Sequence, residues 1–123
     1  MRALVVDDSR FMRNFLRSLL AEHGVECVEA ADGREGLACL QSEGPFTVAL
    51  VDWNMPVMSG LDLLRAARAD PDCDAMRIVM VTTEAENDRI ETALLAGADE
   101  YLVKPFDEQG LFDKLRLAGV EAE

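Results

Sequence analysis

Histidine is nearly missing from this chain: His23 is the only one in 123 residues. That excludes a histidine-based metal centre. A catalytic histidine is not expected either, because His23 sits beside Gly24 at a predicted helix end, where a cation suits the helix dipole. Cysteine is scarce and odd in number. Cys27, Cys39 and Cys73 show no CxxC or other metal-ligand spacing, so they read as free thiols in a reducing cytoplasm. Positive charge is in short supply, with 12 Lys and Arg against 24 Asp and Glu and a net charge of −12. This argues against nucleic acid or an anionic membrane as partner, and the acidic excess serves solubility. No stretch approaches the roughly 20 apolar residues needed to span a bilayer. Met1-Arg2 leads straight into an apolar run, so a signal peptide is not expected. There is no repeat, linker or low-complexity segment, and the expectation is a single cytoplasmic domain over residues 1–123 with no output domain attached.

What the chain does contain is a set of apolar runs that each end in a polar residue. Ala3-Leu4-Val5-Val6 runs into Asp7-Asp8, and Val48-Ala49-Leu50-Val51 into Asp52. Ile78-Val79-Met80-Val81 reaches Thr82, and Tyr101-Leu102-Val103 reaches Lys104-Pro105. Short runs rich in β-branched residues read as strands buried on both faces, hence as a parallel sheet. A further strand is predicted over Val25 to Ala30. Between the strands lie helical patterns. Ser9 caps a stripe of Phe11, Met12, Phe15, Leu16, Leu19 and Leu20 that Gly24 stops. Asp32-Gly33 opens a helix carrying Leu37 and Leu40, which Gly44-Pro45 closes. Ser59-Gly60 opens a third helix, which dissolves into a loop at Asp70-Pro71-Asp72. A fourth runs from about Ala85 to Gly97, and the last from about Asp107 to Ala118.

Five strands alternating with five helices give an α/β fold of (βα)5 form. Right-handed crossovers place helices on both faces, making a flavodoxin-like three-layer sandwich. The expected strand order is 2-1-3-4-5, with its switch point between strands one and three. Ligands bind outside the carboxyl ends of such strands, and Asp7-Asp8 and Asp52 end those two. Three carboxylates, the Thr82 hydroxyl and the Lys104 ammonium are thus predicted to converge on one crevice.

Three carboxylates so placed repel one another unless a cation sits among them. Oxygen ligands without nitrogen or sulfur favour Mg²⁺, with Mn²⁺ as the second candidate. Asp52 can attack a phosphoryl group to form an aspartyl phosphate. Lys104 and Thr82 can supply a point charge and a hydrogen bond to its oxygens. The competing reading of Asp7-Asp8 is helix capping, since both precede a helix. Thr82 could be an ordinary strand terminus, and Lys104 an ordinary surface lysine.

Taken as a set, five segments carry a resemblance that covers nearly the whole chain. They are Val6-Asp7-Asp8-Ser9-Arg10, Val51-Asp52-Trp53-Asn54-Met55-Pro56, Ser59-Gly60-Leu61, Met80-Val81-Thr82 and Tyr101-Leu102-Val103-Lys104-Pro105-Phe106. In this the chain resembles the receiver domains of two-component response regulators, chemotaxis type. The resemblance implies that Asp52 is the phosphoacceptor and takes its phosphoryl group from a histidine kinase. It implies Mg²⁺ on Asp7, Asp8, Asp52 and the backbone carbonyl of Asn54, with Lys104 on the phosphoryl group and a cis Lys104–Pro105 bond. Thr82 and Tyr101 are implied as a switch pair, read out by the exposed face of the fourth helix, fifth strand and fifth helix. Asn54, Thr83 and Glu84 are implied to tune phosphate lifetime; Asn54 and Glu84 suggest a fairly short one, while the bulk of Thr83 would slow small donors and water. The expected target is a flagellar switch or a phosphotransfer protein. The chain is expected to act as a monomer; Arg89, Glu91, Lys114 and Arg116 read as ordinary solvated helix charges, the alternative being a dimeric readout face.

The alternatives kept open are a phosphorelay intermediate that passes its phosphate to a histidine, and a receiver cut from a longer regulator. Two other classes fare worse. A haloacid-dehalogenase-type phosphatase needs a general acid where Asn54 stands. A flavin carrier conflicts with the acidic crevice and with the lack of a Gly/Ser/Thr-rich phosphate loop.

Overall fold

Ala3, Leu4, Val5 and Val6 have no exposed surface at all, and the rest of the molecule is layered around them. The computed structural model describes residues 1–83 and 87–121. Its strands are β1 (Arg2–Val6), β2 (Glu26–Ala30), β3 (Val48–Asp52), β4 (Arg77–Thr82) and β5 (Glu100–Val103). Its helices are α1 (Arg10–Ala21), α2 (Gly33–Glu43), α3 (Gly60–Arg68), α4 (Asn87–Leu95) and α5 (Glu108–Leu117). All strand pairs are parallel, in the order β2-β1-β3-β4-β5. The chain is therefore the expected (βα)5 three-layer sandwich.

Alternation along the strands divides the core in two. Leu4, Val6, Ala49, Val51, Ile78 and Met80 join Leu63, Leu64 and Ala67 of α3 and Ala93 of α4. Ala3, Val5, Val48, Leu50, Val79 and Val81 meet Leu16 and Leu20 of α1 and Leu111 and Leu115 of α5. The central strands thus need apolar side chains on both faces, which is why they read as unbroken apolar runs. At the edges this relaxes. Only Leu102 of β5 is fully buried, so the expectation of burial on both faces fails for that strand. Its outer side has no neighbouring strand to cover it.

The local signals act as read. Ser9 caps α1 by accepting from Met12 N at 3.2 Å, Asp32 caps α2, Ser59 caps α3 and Asp107 caps α5. The Asp70-Pro71-Asp72 loop is more ordered than expected. Pro71–Cys73 forms a short 3₁₀ turn, because Asp70 accepts from Asp72 N and proline pre-sets the turn's φ. The second strand begins one residue later than expected, at Glu26. Ala85, the expected start of the fourth helix, lies outside the described residues, and α4 is described from Asn87. His23 ties α1 to α5: its ring centroid is 3.9 Å from that of Phe112, and its Nε2 is 2.9 Å from Glu108 Oε1.

In the loop after β3, Val57 has φ +71°. A β-branched residue in that region costs on the order of 1–3 kcal/mol, and its side chain, 74 % exposed, gains little burial in return. Val57→Asn is expected to add about 1 kcal/mol of stability, read as a higher urea midpoint with the m-value unchanged. A lower midpoint would contradict the strain.

Candidate functional site

β1 and β3 are adjacent, so their ends bring Asp7-Asp8 and Asp52 side by side. Oxygen atoms of the three carboxylates lie within 4.8 Å of one another, the only such group of acids, histidines or cysteines among the described residues. Asp7 and Asp52 are buried at 1 % and 7 % exposure, while Asp8 opens to solvent. Lys104, from the end of β5, reaches across: its Nζ is 2.9 Å from Asp7 Oδ2 and 3.5 Å from Asp52 Oδ1. The Lys104–Pro105 peptide that presents it is cis.

Capping does not account for the paired aspartates. The cap of α1 is Ser9, and Asp7 Oδ1 accepts from Ser9 N at 2.8 Å within the turn. Among the described residues no hydrogen bond or ion pair engages the Asp8 carboxylate. The cluster also carries more negative charge than Lys104 neutralises. Burial, and then the neighbouring Asp7, push the Asp52 carboxyl from 3.8 up to about 6, against the opposing pull of Lys104. An all-oxygen donor set short of positive charge, one member solvent-facing, fits a hydrated hard divalent cation.

The acceptor loop is braced from α3. Gly60 N donates to Trp53 O at 3.0 Å, and a Cβ on Gly60 would meet Asp52 O at 2.0 Å. Only glycine allows the helix to start this close to the Asp52 backbone. In the sequence Ser59-Gly60 reads as a helix start and carries part of the resemblance, but no local signal announces that contact. On the other side, Trp53 N donates to Val81 O at 3.0 Å, and the Arg89 guanidinium lies 5.3 Å from the Trp53 ring centroid. Thr82, 3 % exposed, ends β4. Together with Trp53, Met80, Arg89, Ile90, Ala93 and Tyr101 it lines a narrow, half-open gap under α4, too small to admit a water. The Tyr101 ring is half-buried there, with Lys114 Nζ 4.4 Å from its centroid. Asn54 and Thr83 are exposed beside the crevice, and Glu84 lies outside the described residues. The three thiols remain free, and burial pushes Cys27 up to about 11, so it is protonated at neutral pH.

A crevice of this kind, at the switch point of a 2-1-3-4-5 sheet, defines a class, and comparison with known proteins agrees. The chain belongs to the response regulator receiver domains, whose family model matches residues 3–116. Within that family it is similar to proteins named CheY. It is 45 % identical over 116 residues to the chemotaxis protein CheY of Pseudomonas aeruginosa, covering 94 % of this chain and 93 % of that one. It is 43 % identical over 118 residues to CheY1 of Helicobacter pylori, covering 95 % of each. The crystallised chemotaxis protein CheY4 of Vibrio cholerae superposes with a TM-score of 0.88 at 37 % identity, over 94 % of this chain and 95 % of that one. No helix among the described residues is long and apolar enough to cross a membrane.

Proposed function

We propose that Asp52 is the phosphoacceptor of a two-component signalling pathway, charged by a histidine kinase in a Mg²⁺-dependent reaction. The observation that carries this reading is the junction of three carboxylates within 4.8 Å with a lysine 2.9 Å from one and 3.5 Å from another. Asp7, Asp8, Asp52 and the Asn54 carbonyl would hold the ion, which supplies charge neutralisation to the phosphoryl oxygens. Asp52 attacks phosphorus with one carboxylate oxygen; the P–N bond of the phosphohistidine breaks, and the imidazole leaves with the electron pair. Lys104 exchanges its contact with Asp52 for one with the transferred group, so its charge stays inside the site. The chain turns over no external substrate and promotes only its own phosphorylation and dephosphorylation.

The switch is proposed from the family resemblance. Thr82 would move toward the phosphoryl group, and Tyr101, which lines the same narrow gap under α4, would turn inward behind it. The face formed by α4, β5 and α5 then reports one covalent charge. The relatives' names support a chemotaxis output; the receiver is proposed to act as a monomer on a flagellar switch or a phosphotransfer protein. A phosphorylated histidine-kinase core is expected to lose its label to this chain and not to the Asp52→Asn protein. Retention of the label by the kinase in both mixtures would count against the reading, as would transfer to both.

Thr83 is proposed as an access filter, because it is bulkier than the small residue usual at this place in the family and stands exposed at the end of β4. Thr83→Ala is expected to speed both labelling by acetyl phosphate and loss of the phosphoryl group. An unchanged dephosphorylation rate would remove that role.

A further inference from the structure

Asp7 is tied down at both ends of its backbone, and one tie is a side chain that no motif singles out. Its N–H donates to Ala30 O, at the end of β2, at 3.1 Å. Its carbonyl accepts from Arg13 Nη1 at 2.7 Å. That carbonyl belongs to the planar peptide joining Asp7 to Asp8, so fixing its direction fixes the plane from which both carboxylates spring. Arg13 is itself restrained. It lies in the first turn of α1 with 16 % of its side chain exposed, and its Nε is 3.3 Å from Glu29 Oε1. Glu29 engages Arg17 through its other oxygen at 3.0 Å. A planar guanidinium can meet a carboxylate and a carbonyl from separate nitrogens, which an ammonium cannot do in the same geometry.

We propose that Arg13, held by Glu29, is a positioning residue for the cation site: it clamps the Asp7–Asp8 peptide so that both carboxylates face Asp52. The proposal rests on the Mg²⁺ reading of that cluster. Its sign separates it from a plain charge effect. Arg13 is a cation near a cation site, and if repulsion were its only influence, removing it would tighten Mg²⁺ binding. A clamp acts in the opposite direction, because loosened ligands bind more weakly.

The test is titration of Mg²⁺ alone into each protein, followed by Trp53 fluorescence and calorimetry, with thermal unfolding of the metal-free proteins alongside. Arg13→Gln is expected to raise the Mg²⁺ Kd roughly tenfold, as loss of an outer-sphere partner typically does. Arg13→Lys restores little of it. Arg17→Gln, which loses the same Glu29 partner without touching Asp7, leaves the Kd unchanged whatever it does to the melting temperature. An Arg13→Gln protein that binds Mg²⁺ as tightly as wild type, or more tightly, overturns the proposal. Should Arg13→Gln fail to fold, Glu29→Gln decides: its Kd is expected to rise too, and an unchanged value overturns the clamp. A wild-type chain without any Mg²⁺ response overturns the metal reading itself, and the clamp with it.

Discussion

Freed of metal and held near neutral pH, the Asp52→Asn protein is expected to withstand more urea than wild type. Folding buries the Asp52 carboxyl against Asp7 and lifts its pKa from 3.8 to about 6. The folded state therefore keeps a proton that the unfolded chain gives up. Below about pH 4 both states are protonated and the site costs nothing. As pH climbs from about 4 to about 6 the unfolded chain ionises first, so stability falls. Above about 6 the full penalty is present. A shift of about two units corresponds to about 2–3 kcal/mol, which an uncharged amide of the same shape avoids. The advantage of Asp52→Asn should thus be largest at neutral pH and vanish near pH 4. Mg²⁺ should cancel that advantage and then invert the order, since a ligand at about 100 times its Kd adds about 2.7 kcal/mol to the protein that binds it and at about 1,000 times its Kd about 4.1 kcal/mol. Urea midpoints in EDTA and in saturating Mg²⁺, at several pH values, check all three statements. A wild type more stable than the variant in EDTA at neutral pH would contradict them.

At the opposite end of the strands, Arg68→Ala is expected to cost about 3–4 kcal/mol without touching the chemistry. Its guanidinium, with 19 % of the side chain exposed, donates to Gly97 O at 2.8 Å, Cys73 O at 3.0 Å and Asp99 Oδ2 at 2.8 Å. It thereby joins the end of α3, the 3₁₀ turn and the α4–β5 connection. Asp99 also accepts from Ile78 N at 2.8 Å, at the start of β4. Truncation leaves two carbonyls and a carboxylate without this donor in a partly buried place, and breaking one partner of such a network costs several kcal/mol. Gly97 fits the same arrangement: with φ +111°, a Cβ there would meet Arg68 Cγ at 2.6 Å. Arg68→Lys is expected to recover little, because an ammonium cannot span three acceptors held in a fork. Chemical denaturation reads the loss as a lower midpoint at constant m-value. A change below about 1 kcal/mol would mean that water satisfies these groups and that the network is incidental.

The sheet and the acidic crevice were legible because each depends on one short segment. A strand buried on both faces needs no polar–apolar alternation, so runs such as Val48-Ala49-Leu50-Val51 announce themselves, and strand order then places their terminal aspartates together. Caps at Ser9, Asp32, Ser59 and Asp107 were legible for the same local reason. What escaped was long-range or geometric. Arg68 and Asp99 are 31 residues apart, and nothing in the local pattern of either announces the other. Arg13 looks like one more polar position on an amphipathic helix until the Asp7 carbonyl is seen beside it. The left-handed Val57 defies its own propensity, so sequence argues against it. The half-open edge of β5 depends on what lies beside the strand rather than on the strand itself.

The most direct measurement of the phosphoacceptor claim is the intact mass of the chain after incubation with acetyl phosphate and Mg²⁺, with Asp52→Asn and Thr83→Ala treated in parallel. The expected result is one added phosphoryl group on wild type and Thr83→Ala, absent from Asp52→Asn and from wild type in EDTA. No adduct on either wild type or Thr83→Ala while Mg²⁺ binding is demonstrated, or an adduct that persists in Asp52→Asn, would contradict the assignment.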